Sequence, residues 1–421
     1  MDDNPQLRHL SGLPAALVAL SFFVILAFMV LFACLACRPS QRQSLKGDFP
    51  EWIIGARLLQ AMPDRLYDLD LQRREYHSLA GRGGLDYPYV YPPFVAASFV
   101  PLTAFPFYVS LLLWGIISAA LYGCALALVA PPYQRRVALW LALASPLFLW
   151  YTIIYGQLSA LGCIAIAGAI WLERRGYGFL SGVALGLCTY KLSLLVWIVP
   201  MLIFTRRIRA LSGILASAVA LAGISLAVAG RKACMDWLHI LFRWTSGVST
   251  AGLKYPFEKY VDLNACTKLF SSHPRAIVLA IAVAVASGAI AVTVQAWYRD
   301  DLINLRWAAT LTLTLLVNLY SPIYDAVLLI LAILLVWRRE TARACAAFLV
   351  AAHFAAWESE DFTKHGWPPL ITLVLIAFML YLWALARGMA RADRPRNELL
   401  TVADRHRHGL TRKREFAAGS R

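Results

Sequence analysis

Residues 176–205 read GYGFLSGVALGLCTYKLSLLVWIVPMLIFT, an apolar stretch in which Lys191 is the only charged residue. A pair of arginines precedes it at 174–175, and another pair follows it at 206–207. One continuous helix over 178–204 would place the two pairs on opposite faces of a membrane. This would be unusual, because short basic segments of membrane proteins gather on the cytoplasmic face. Two short helices that meet near Lys191 keep both pairs on the same face. The stretch therefore predicts a helical hairpin with Lys191 at its tip.

The rest of the chain has the composition of a membrane protein. Hydrophobic residues make up 60% of it and charged residues 15%, whereas soluble domains carry about a quarter of charged residues. The first apolar run, 14–36, contains no charge and would be about 34 Å long as a helix, enough to cross a bilayer of ~30 Å. Counting such runs predicts an all-α polytopic membrane protein with about twelve transmembrane helices and a large first external loop. The predicted crossings are 14–36, 106–129, 137–154, 158–172, 178–190, 192–204, 210–229, 276–297, 307–320, 325–337, 344–357 and 368–386.

The formal net charge of +16 is unevenly distributed between the two predicted sides. The short connections and the tail from residue 387 onward carry a net charge of +13, while the segments 38–92, 230–275 and 358–367 carry +3. This asymmetry is typical of a membrane topology, so the expected partner is a lipid bilayer and not a nucleic acid. It predicts a multi-pass protein of the bacterial plasma membrane with both termini in the cytoplasm and the loop that bears Asp48 outside.

Two further stretches have the same design as the hairpin around Lys191. The run 137–172 contains turn residues at Gly156-Gln157, and the run 307–337 contains them at 318–322. Irregular backbone at membrane depth is tolerated against protein or a water-filled cavity. Three tips on the same side therefore predict one cavity that opens outward, with 94–104 as a re-entrant or interfacial helix.

Ionisable residues at these tips are candidates for function, because charges within membrane segments are costly. Lys191 either anchors a phosphate as a compact point charge or extends its side chain to the surface. Asp325 follows Tyr324 at another tip, and it either binds sugar hydroxyls or forms a structural ion pair with Lys191. The sequence leaves both alternatives open.

Asp48 is the candidate general base, because it lies early in the polar segment 38–93 beside aromatic residues. A carboxylate within hydrogen-bond reach of an acceptor hydroxyl can activate that hydroxyl for attack at an anomeric carbon. Tyr91 could stack on a sugar face, although aromatic residues are also enriched at membrane interfaces. Four other aspartates of the segment compete with Asp48 for this role: Asp64, Asp68, Asp70 and Asp86.

Cofactor signatures are absent from the sequence. It has no Gly-rich phosphate loop of the ATPase type, no His and Cys cluster with zinc spacing and no nucleophile elbow. We therefore expect no cofactor and no metal ligand; the alternative is a divalent metal held by carboxylates. Of the eight cysteines, Cys234 and Cys266 share a predicted external loop, where one disulfide is conceivable.

An ordered set of short motifs resembles glycosyltransferase family 87. The motifs are Gly47-Asp48-Phe49, Leu66-Tyr67-Asp68, Tyr91-Pro92-Pro93, Tyr155-Gly156-Gln157, Lys191 in a hairpin of small residues, and Ser321-Pro322-Ile323-Tyr324-Asp325. That family consists of membrane enzymes of the GT-C fold and includes polyprenol-phosphate-mannose-dependent α-mannosyltransferases. The resemblance covers roughly residues 45–340.

The resemblance implies roles for particular residues. Asp48 matches the family's expected catalytic base, Gln157 and Lys191 are similar to residues that line the lipid-phosphate donor site, and the late Tyr-Asp pair matches Tyr324-Asp325. The family often has Lys-Pro at the third tip, whereas here Lys191 is followed by leucine.

The prediction is a single GT-C-like transmembrane domain over 1–386, with 38–93 as an external catalytic loop and 387–421 as a basic cytoplasmic tail. Its predicted activity is that of an inverting hexosyltransferase that moves a mannose-like sugar from a polyprenyl-phosphate donor to a lipid-linked or cell-envelope glycan acceptor. Lys191 and Arg57 would stabilise the phosphate. The alternative is a transporter or flippase of lipid-linked saccharides, which should show internal repeats. The loop 38–92 has no counterpart in the second half, which favours the enzyme.

Overall fold

The computed structural model describes residues 16–30, 34, 47–80, 88–245, 259–269, 274–299, 302–365 and 367–389. Within these ranges the chain is helical, and the β contact recorded there is an isolated bridge between Tyr260 and Pro322. The all-α prediction is confirmed for this part of the chain. The helices are α1 (Ala16–Val30), α2 (Phe49–Ala61), α3 (Leu69–Ala80), α4 (Pro93–Phe99), α5 (Phe107–Val129), α6 (Arg135–Leu143), α7 (Pro146–Phe148), α8 (Ser159–Arg174), α9 (Gly178–Gly186), α10 (Ile198–Phe204), α11 (Ile208–Thr245), α12 (Leu263–Leu269), α13 (Arg275–Trp297), α14 (Ile303–Leu316), α15 (Val327–Leu335), α16 (Ala342–Lys364) and α17 (Leu370–Met389).

Among the described residues, four helices are long and apolar enough to cross a membrane, namely α5, α11, α13 and α17. A fifth span forms if α6 is joined to the segment Pro146–Ile154, although the two are bent by 41°. The sequence treated 137–154 as one crossing. It breaks because Pro146 has no N–H to continue the hydrogen-bond ladder of α6. Most of the other predicted crossings correspond to shorter helices.

The chain turns back at Lys191 as the basic pairs predict. Helical segments Gly178–Tyr190 and Leu192–Phe204 flank Lys191, whose own backbone is not helical (φ −143°, ψ 88°). Glu173, before the hairpin, lies 3.9 Å from the guanidinium of Arg207, after it. The residues before and after the hairpin are therefore together, and Lys191 lies at the opposite end. We call the end that carries Lys191 the tip of the hairpin, and the end that carries Glu173 and Arg207 its feet.

Burial separates the inner helices from the outer ones. All nine residues of α15 are buried, so this helix lies at the centre of the apolar core. By contrast, α11 exposes most of its apolar side chains. The sequence ended this crossing at residue 229, but α11 continues to Thr245 with a kink at Gly230 (φ 75°). The segment predicted as an external loop therefore begins as a helix.

The first loop is more deeply buried than the sequence predicts. The sequence predicts 38–93 as an external loop, but α2 is buried on nearly all sides, with Trp52 and Ile54 fully enclosed. This helix is buried because its polar residues are few and because the rings of Phe49 and Trp52 pack inward against Phe99. α2 is a core helix, and it holds Asp48 directly before its first turn.

Candidate active site

The segment around Asp48 is bound to the tip at Tyr155 by backbone hydrogen bonds. The N–H groups of Asp48 and Phe49 both donate to the carbonyl oxygen of Tyr155, at 3.0 and 3.1 Å. The carbonyl oxygen of Gly156 accepts hydrogen bonds from the indole N–H of Trp52 at 2.8 Å and of Trp114 at 3.1 Å. Two of the sequence motifs, Gly-Asp-Phe and Tyr-Gly-Gln, are therefore the two halves of one contact.

Glycine is required on both sides of this contact. A Cβ atom on Gly47 would lie 2.9 Å from the Cα atom of Tyr155, closer than real Cβ contacts. Gly156 has φ +68°, a conformation that favours glycine, and a Cβ atom there would lie 2.6 Å from the Cβ atom of Phe49. The motifs contain glycine because the two backbones approach each other this closely.

The side chain of Asp48 is held by Gln157, the next residue along the tip. The buried amide of Gln157 donates a hydrogen bond from Nε2 to Oδ2 of Asp48. Asp48 itself is half-buried. The structure thus brings together two candidates that are 109 positions apart in the sequence. A carboxylate in this position is oriented by the protein and still partly accessible, which are the properties that a general base needs.

Two of the four competing aspartates, Asp68 and Asp70, have structural partners of their own. Asp68 precedes α3, and its Oδ1 accepts hydrogen bonds from the N–H groups of Asp70 and Leu71, at 3.0 and 3.1 Å. It therefore caps α3. Hydrogen bonds from Arg65 and then from Leu71 hold the pKa of Asp68 below its usual value. Asp70 is exposed and pairs with Arg73 at 3.0 Å. Asp64 is exposed too, and Asp86 lies outside the described residues.

Lys191 and Asp325 form a buried ion pair that joins two tips. The ammonium lies 2.7 Å from both oxygens of the carboxylate, with side-chain exposures of 15% for Lys191 and 4% for Asp325. The same ammonium lies 4.5 Å from the centre of the Tyr324 ring. Of the two sequence alternatives for Asp325, this arrangement matches the ion pair. It does not remove a role for Lys191, since an ammonium has three N–H donors.

Tyr91 contacts residues of both the Asp48 contact and the tip that carries Lys191. Its ring packs edge-on against Trp52, with centroids 4.6 Å apart, and stacks on Tyr190 at 6.5 Å. Burial raises the pKa of Tyr91 well above its usual value, and the carboxylates of Glu51, Asp48 and Asp325 raise it further. Carboxylates from both clusters therefore act on the same phenol. The two clusters belong to one site, which we call the tip site.

The structure does not bring Arg57 to the tip site. Its guanidinium lies 3.7 Å from the carboxylate of Glu75 on α3, and both side chains are about a third exposed. No contact in the described part of the chain joins Arg57 to Lys191 or to Asp48.

Leu192, which stands where the family often has proline, does not prevent the turn after Lys191. The residues 192–195 form a short 3₁₀ helix there.

Sequence reasoning ranks Glu51 behind Asp48 as a candidate base, and it missed Asp262. Glu51 is only 6% exposed, one turn into α2, and it acts on Tyr91. Asp262 is fully buried and accepts hydrogen bonds from the N–H groups of Ser321 at 2.8 Å and Ala265 at 2.9 Å. Burial raises its pKa to about 6. Asp262 thus stabilises the turn at 318–322, which leads to Asp325. In the sequence, only the turn residues of 318–322 indicated that this turn needs a partner.

An apolar groove of about 440 Å³ adjoins the tip site. Pro92, Pro93 and Phe94 line it directly after Tyr91, and Thr189 and Leu192 line it on either side of the tip. Its third wall is formed by residues of α11 on both sides of the kink at Gly230, from Ala218 to Leu226 and from Cys234 to Leu238. The backbone N–H of Phe94 is fixed to this wall by the hydroxyl of Ser225, at 3.2 Å. The groove is apolar and adjoins a polar site, so it suits a lipid chain with a charged head.

The described residues contain no group of three or more His, Cys, Asp or Glu side chains that could hold a metal ion. Cys234 and Cys266 are both free thiols, so the conceivable disulfide between them is not formed.

The described residues form helices, four of them long and apolar enough to cross a membrane, and they enclose a buried polar site, which together define a class of helical membrane protein. The model of glycosyltransferase family 87 matches residues 89–322, more than half of the 421 residues. The chain belongs to glycosyltransferase family 87, so the resemblance found in the motifs is confirmed. The matched range contains Tyr91, Gln157 and Lys191, whereas Asp48 and Asp325 lie outside it.

Two mycobacterial proteins, each named polyprenol-phosphate-mannose-dependent alpha-(1-2)-phosphatidylinositol pentamannoside mannosyltransferase, are similar to part of the chain. The protein of Mycobacterium tuberculosis (strain CDC 1551 / Oshkosh) is 32% identical over 159 residues, which are 35% of this chain and 35% of that protein. The protein of Mycolicibacterium smegmatis (strain ATCC 700084 / mc(2)155) is 39% identical over 110 residues, 24% of this chain and 25% of that protein. The similarity thus spans about a third of the first relative and a quarter of the second. No solved structure matches the chain.

Proposed function

We propose that the protein is an inverting membrane hexosyltransferase that moves a mannose-like sugar from a polyprenyl-phosphate donor to a lipid-linked or cell-envelope glycan acceptor. The observation that carries the proposal is the tip site, where Asp48 is held by Gln157, Lys191 is bound to Asp325, and Tyr91 packs against Trp52 of the first cluster and Tyr190 beside the second. One cluster offers a proton acceptor, and the other offers a cation for a phosphate. The names of the two mycobacterial relatives support a polyprenol-phosphate-mannose donor.

In the proposed reaction Asp48 accepts the proton of an acceptor hydroxyl while the hydroxyl oxygen attacks the anomeric carbon of the donor sugar. The bond between that carbon and the phosphate oxygen breaks, and its electron pair leaves with polyprenyl phosphate. Because attack comes from the side opposite the leaving group, the anomeric centre is inverted. Gln157 orients the carboxylate toward the acceptor, since its amide donates a hydrogen bond to Oδ2 of Asp48.

Lys191 is proposed to stabilise the phosphate as negative charge develops on it. Two of its N–H groups face the oxygens of Asp325, and the third is available to a donor phosphate. Tyr324 keeps the ammonium in place from its other side. We do not assign Arg57 to this step, because its guanidinium faces Glu75.

The polyprenyl chain of the donor is proposed to lie in the apolar groove along α11. The groove begins beside Tyr91 and the tip of the hairpin, so a chain in it would present its phosphate to Lys191. Exposed apolar side chains of α11 continue the groove toward lipid. A lipid-linked donor would therefore enter from the bilayer without passing through water.

The fold and the topology are part of the same proposal. We propose a GT-C-like domain over 1–386 with about twelve crossings, the shorter ones being halves of hairpins, and a basic tail at 387–421. Both termini would be cytoplasmic and the tip site external, because the feet carry the arginines. Cysteine labelling from outside should reach positions near Arg82 and not positions near Arg207 or Arg412. External labelling at Arg207 would contradict this topology.

The activity test uses purified protein in detergent, a synthetic polyprenyl-phospho-mannose and a glycolipid extract as acceptor. We expect release of polyprenyl phosphate and a glycolipid heavier by one hexose, without any membrane gradient. Use of a nucleotide-linked sugar in place of the lipid-linked one would show that the donor class is wrong. Movement of an unmodified glycolipid across liposomes, with no new glycosidic bond, would support the flippase instead.

A further inference from the structure

A second pocket lies at the feet of the hairpin, at the opposite end from Lys191. Its volume is about 420 Å³, and it is lined on one side by Gly176, Gly178 and Ser181 and on the other by Arg206, Arg207 and Arg209. Helices α9 and α11 both begin at this pocket, so their positive ends face it. Nothing in the proposed sugar transfer uses it.

The charges at the pocket do not balance. The one carboxylate in its lining, Glu173, is already bound: Arg306 lies 2.5 Å from Oε1, the indole of Trp307 donates to Oε2 at 2.6 Å, and Arg207 lies 3.9 Å away. Arg206 and Arg209 have no acidic partner in the described part of the chain. Two guanidinium groups therefore remain for an anion.

The backbone at Arg206 points to a function for its side chain. Arg206 has φ 53°, the left-handed conformation that favours glycine and that other residues adopt at a cost. Glycine would relieve this cost, and the same connection type uses glycine at Gly176, with φ 82°, across the pocket. An arginine at the strained position is consistent with a guanidinium that has a ligand.

The surface beside the pocket is apolar and exposed. Phe204, Ile208 and Tyr177 are each about half exposed or more, and the ring of Phe204 packs against that of Tyr298, with centroids 5.3 Å apart. In a protein that spans a membrane, such side chains face lipid. The unbalanced arginines therefore lie beside an exposed apolar surface, and in the proposed topology this is the level of the phospholipid headgroups.

We propose that this pocket binds the phosphate of an anionic phospholipid of the cytoplasmic leaflet. Basic pockets between helix ends on this side of a membrane suit anionic headgroups. Arg206 and Arg209 hold the phosphate, Gly176 and Gly178 leave room for it, and the acyl chains lie along Phe204 and Ile208. Because the lipid joins the two feet, it stabilises the hairpin whose tip carries Lys191.

The test measures lipid binding directly and does not depend on the enzymatic activity. Protein in detergent is titrated with phosphatidylglycerol, and retained lipid is counted by native mass spectrometry while the melting temperature is followed. We expect phosphatidylglycerol, but not phosphatidylcholine, to raise the melting temperature. Arg206→Gln/Arg209→Gln should weaken lipid binding by roughly tenfold or more, since charged hydrogen bonds are lost.

A matched control removes the same charge elsewhere on the same face. Arg135 and Arg136 are exposed and lie outside the pocket, so Arg135→Gln/Arg136→Gln should bind phosphatidylglycerol as the parent protein does. Equal loss in both double variants would overturn the proposal, because it would show attraction to a basic surface only. An equal effect of inorganic phosphate would overturn the assignment to a lipid. If the double variant does not fold, Arg206→Gln and Arg209→Gln alone should each show part of the loss.

Discussion

The tip and the feet of the hairpin treat positive charge in opposite ways. At the tip, Lys191 is mostly buried and is bound by both oxygens of Asp325. At the feet, Arg206 and Arg209 are exposed and have no acidic partner among the described residues. The difference follows from solvation, since an unpaired charge is very costly inside the protein and cheap at a wet surface. A ligand at the tip must therefore share a cation with its resident partner, whereas a ligand at the feet supplies the missing charge.

The largest expected effect concerns Asp48, whose substitution tests whether the tip is a catalytic site at all. Asp48→Asn should lower turnover at least ~100-fold, the low end of what a positioned base contributes. Expression and donor affinity should change little, because asparagine has the same shape and can still contact Gln157. The measurement is turnover of polyprenyl-phospho-mannose in detergent at saturating donor.

Asp70→Asn is the matched control, because Asp70 is an exposed aspartate of the same loop that pairs only with Arg73 among the described residues. It should keep normal turnover. Near-normal turnover of Asp48→Asn would reassign the base, and Glu51 would then be the next residue to test.

The second prediction tests whether Lys191 shares its charge with a ligand or serves Asp325 alone. Lys191→Ala should weaken donor binding roughly 10- to 150-fold, the equivalent of one charged hydrogen bond of ~1.5–3 kcal/mol. Acceptor binding should change less. Lys191→Arg should restore only part of the affinity, because a planar fork does not replace a point charge at a tight turn.

A purely structural ion pair predicts a different pattern. Either single substitution, Lys191→Ala or Asp325→Ala, would then leave a buried charge unpaired and destabilise the fold. The double variant would recover both thermal stability and donor affinity. Recovery of both quantities would show that Lys191 has a structural role only. The tip would then bind no anionic ligand through Lys191.

A third prediction asks whether the donor reaches the tip along α11. Ala222 lines the apolar groove, and Ala222→Trp should raise the KM for a long-chain polyprenyl donor by about tenfold by filling space. A donor with a short isoprenoid chain should be less affected, because less of its chain lies in the groove. Ala220→Trp is the control on the same helix, exposed but outside the groove. Equal effects on long and short donors would place the chain elsewhere.

The smallest expected effect concerns Asp68, which separates motif residues that build the fold from those that act. Asp68→Ala removes the cap of α3 and should cost about 1 kcal/mol of stability. Turnover should stay close to normal, because the carboxylate faces Arg65 and the backbone of α3. Thermal unfolding and turnover of the same preparation give both numbers. A loss of turnover as large as that of Asp48→Asn would contradict the assignment of Asp48.

Sequence patterns predicted the residues of the tip site better than they predicted the structure of the segment 38–93, which carries Asp48 and Tyr91. The hairpin around Lys191 follows from the position of basic pairs, because charge has a fixed relation to the membrane. The contact of Asp48 with Gln157 has no such local signal, since the two residues are 109 positions apart and only the packed fold joins them. The burial of α2 was missed because the polar segment around it suggested a surface location. Asp262 was missed because an aspartate in a loop is usually solvated.

The neighbouring carbonyl groups of Tyr155 and Gly156 have a consequence for the construction of chimeric proteins. Together they accept two backbone N–H groups and two indole N–H groups, all from residues that precede them in the chain. They fasten Asp48, which lies outside the range that matches the family model, onto residues inside that range. A domain border placed at residue 89 would cut through this joint. A chimera of two relatives should therefore take residues 47–52, Trp114 and residues 155–157 from the same parent protein.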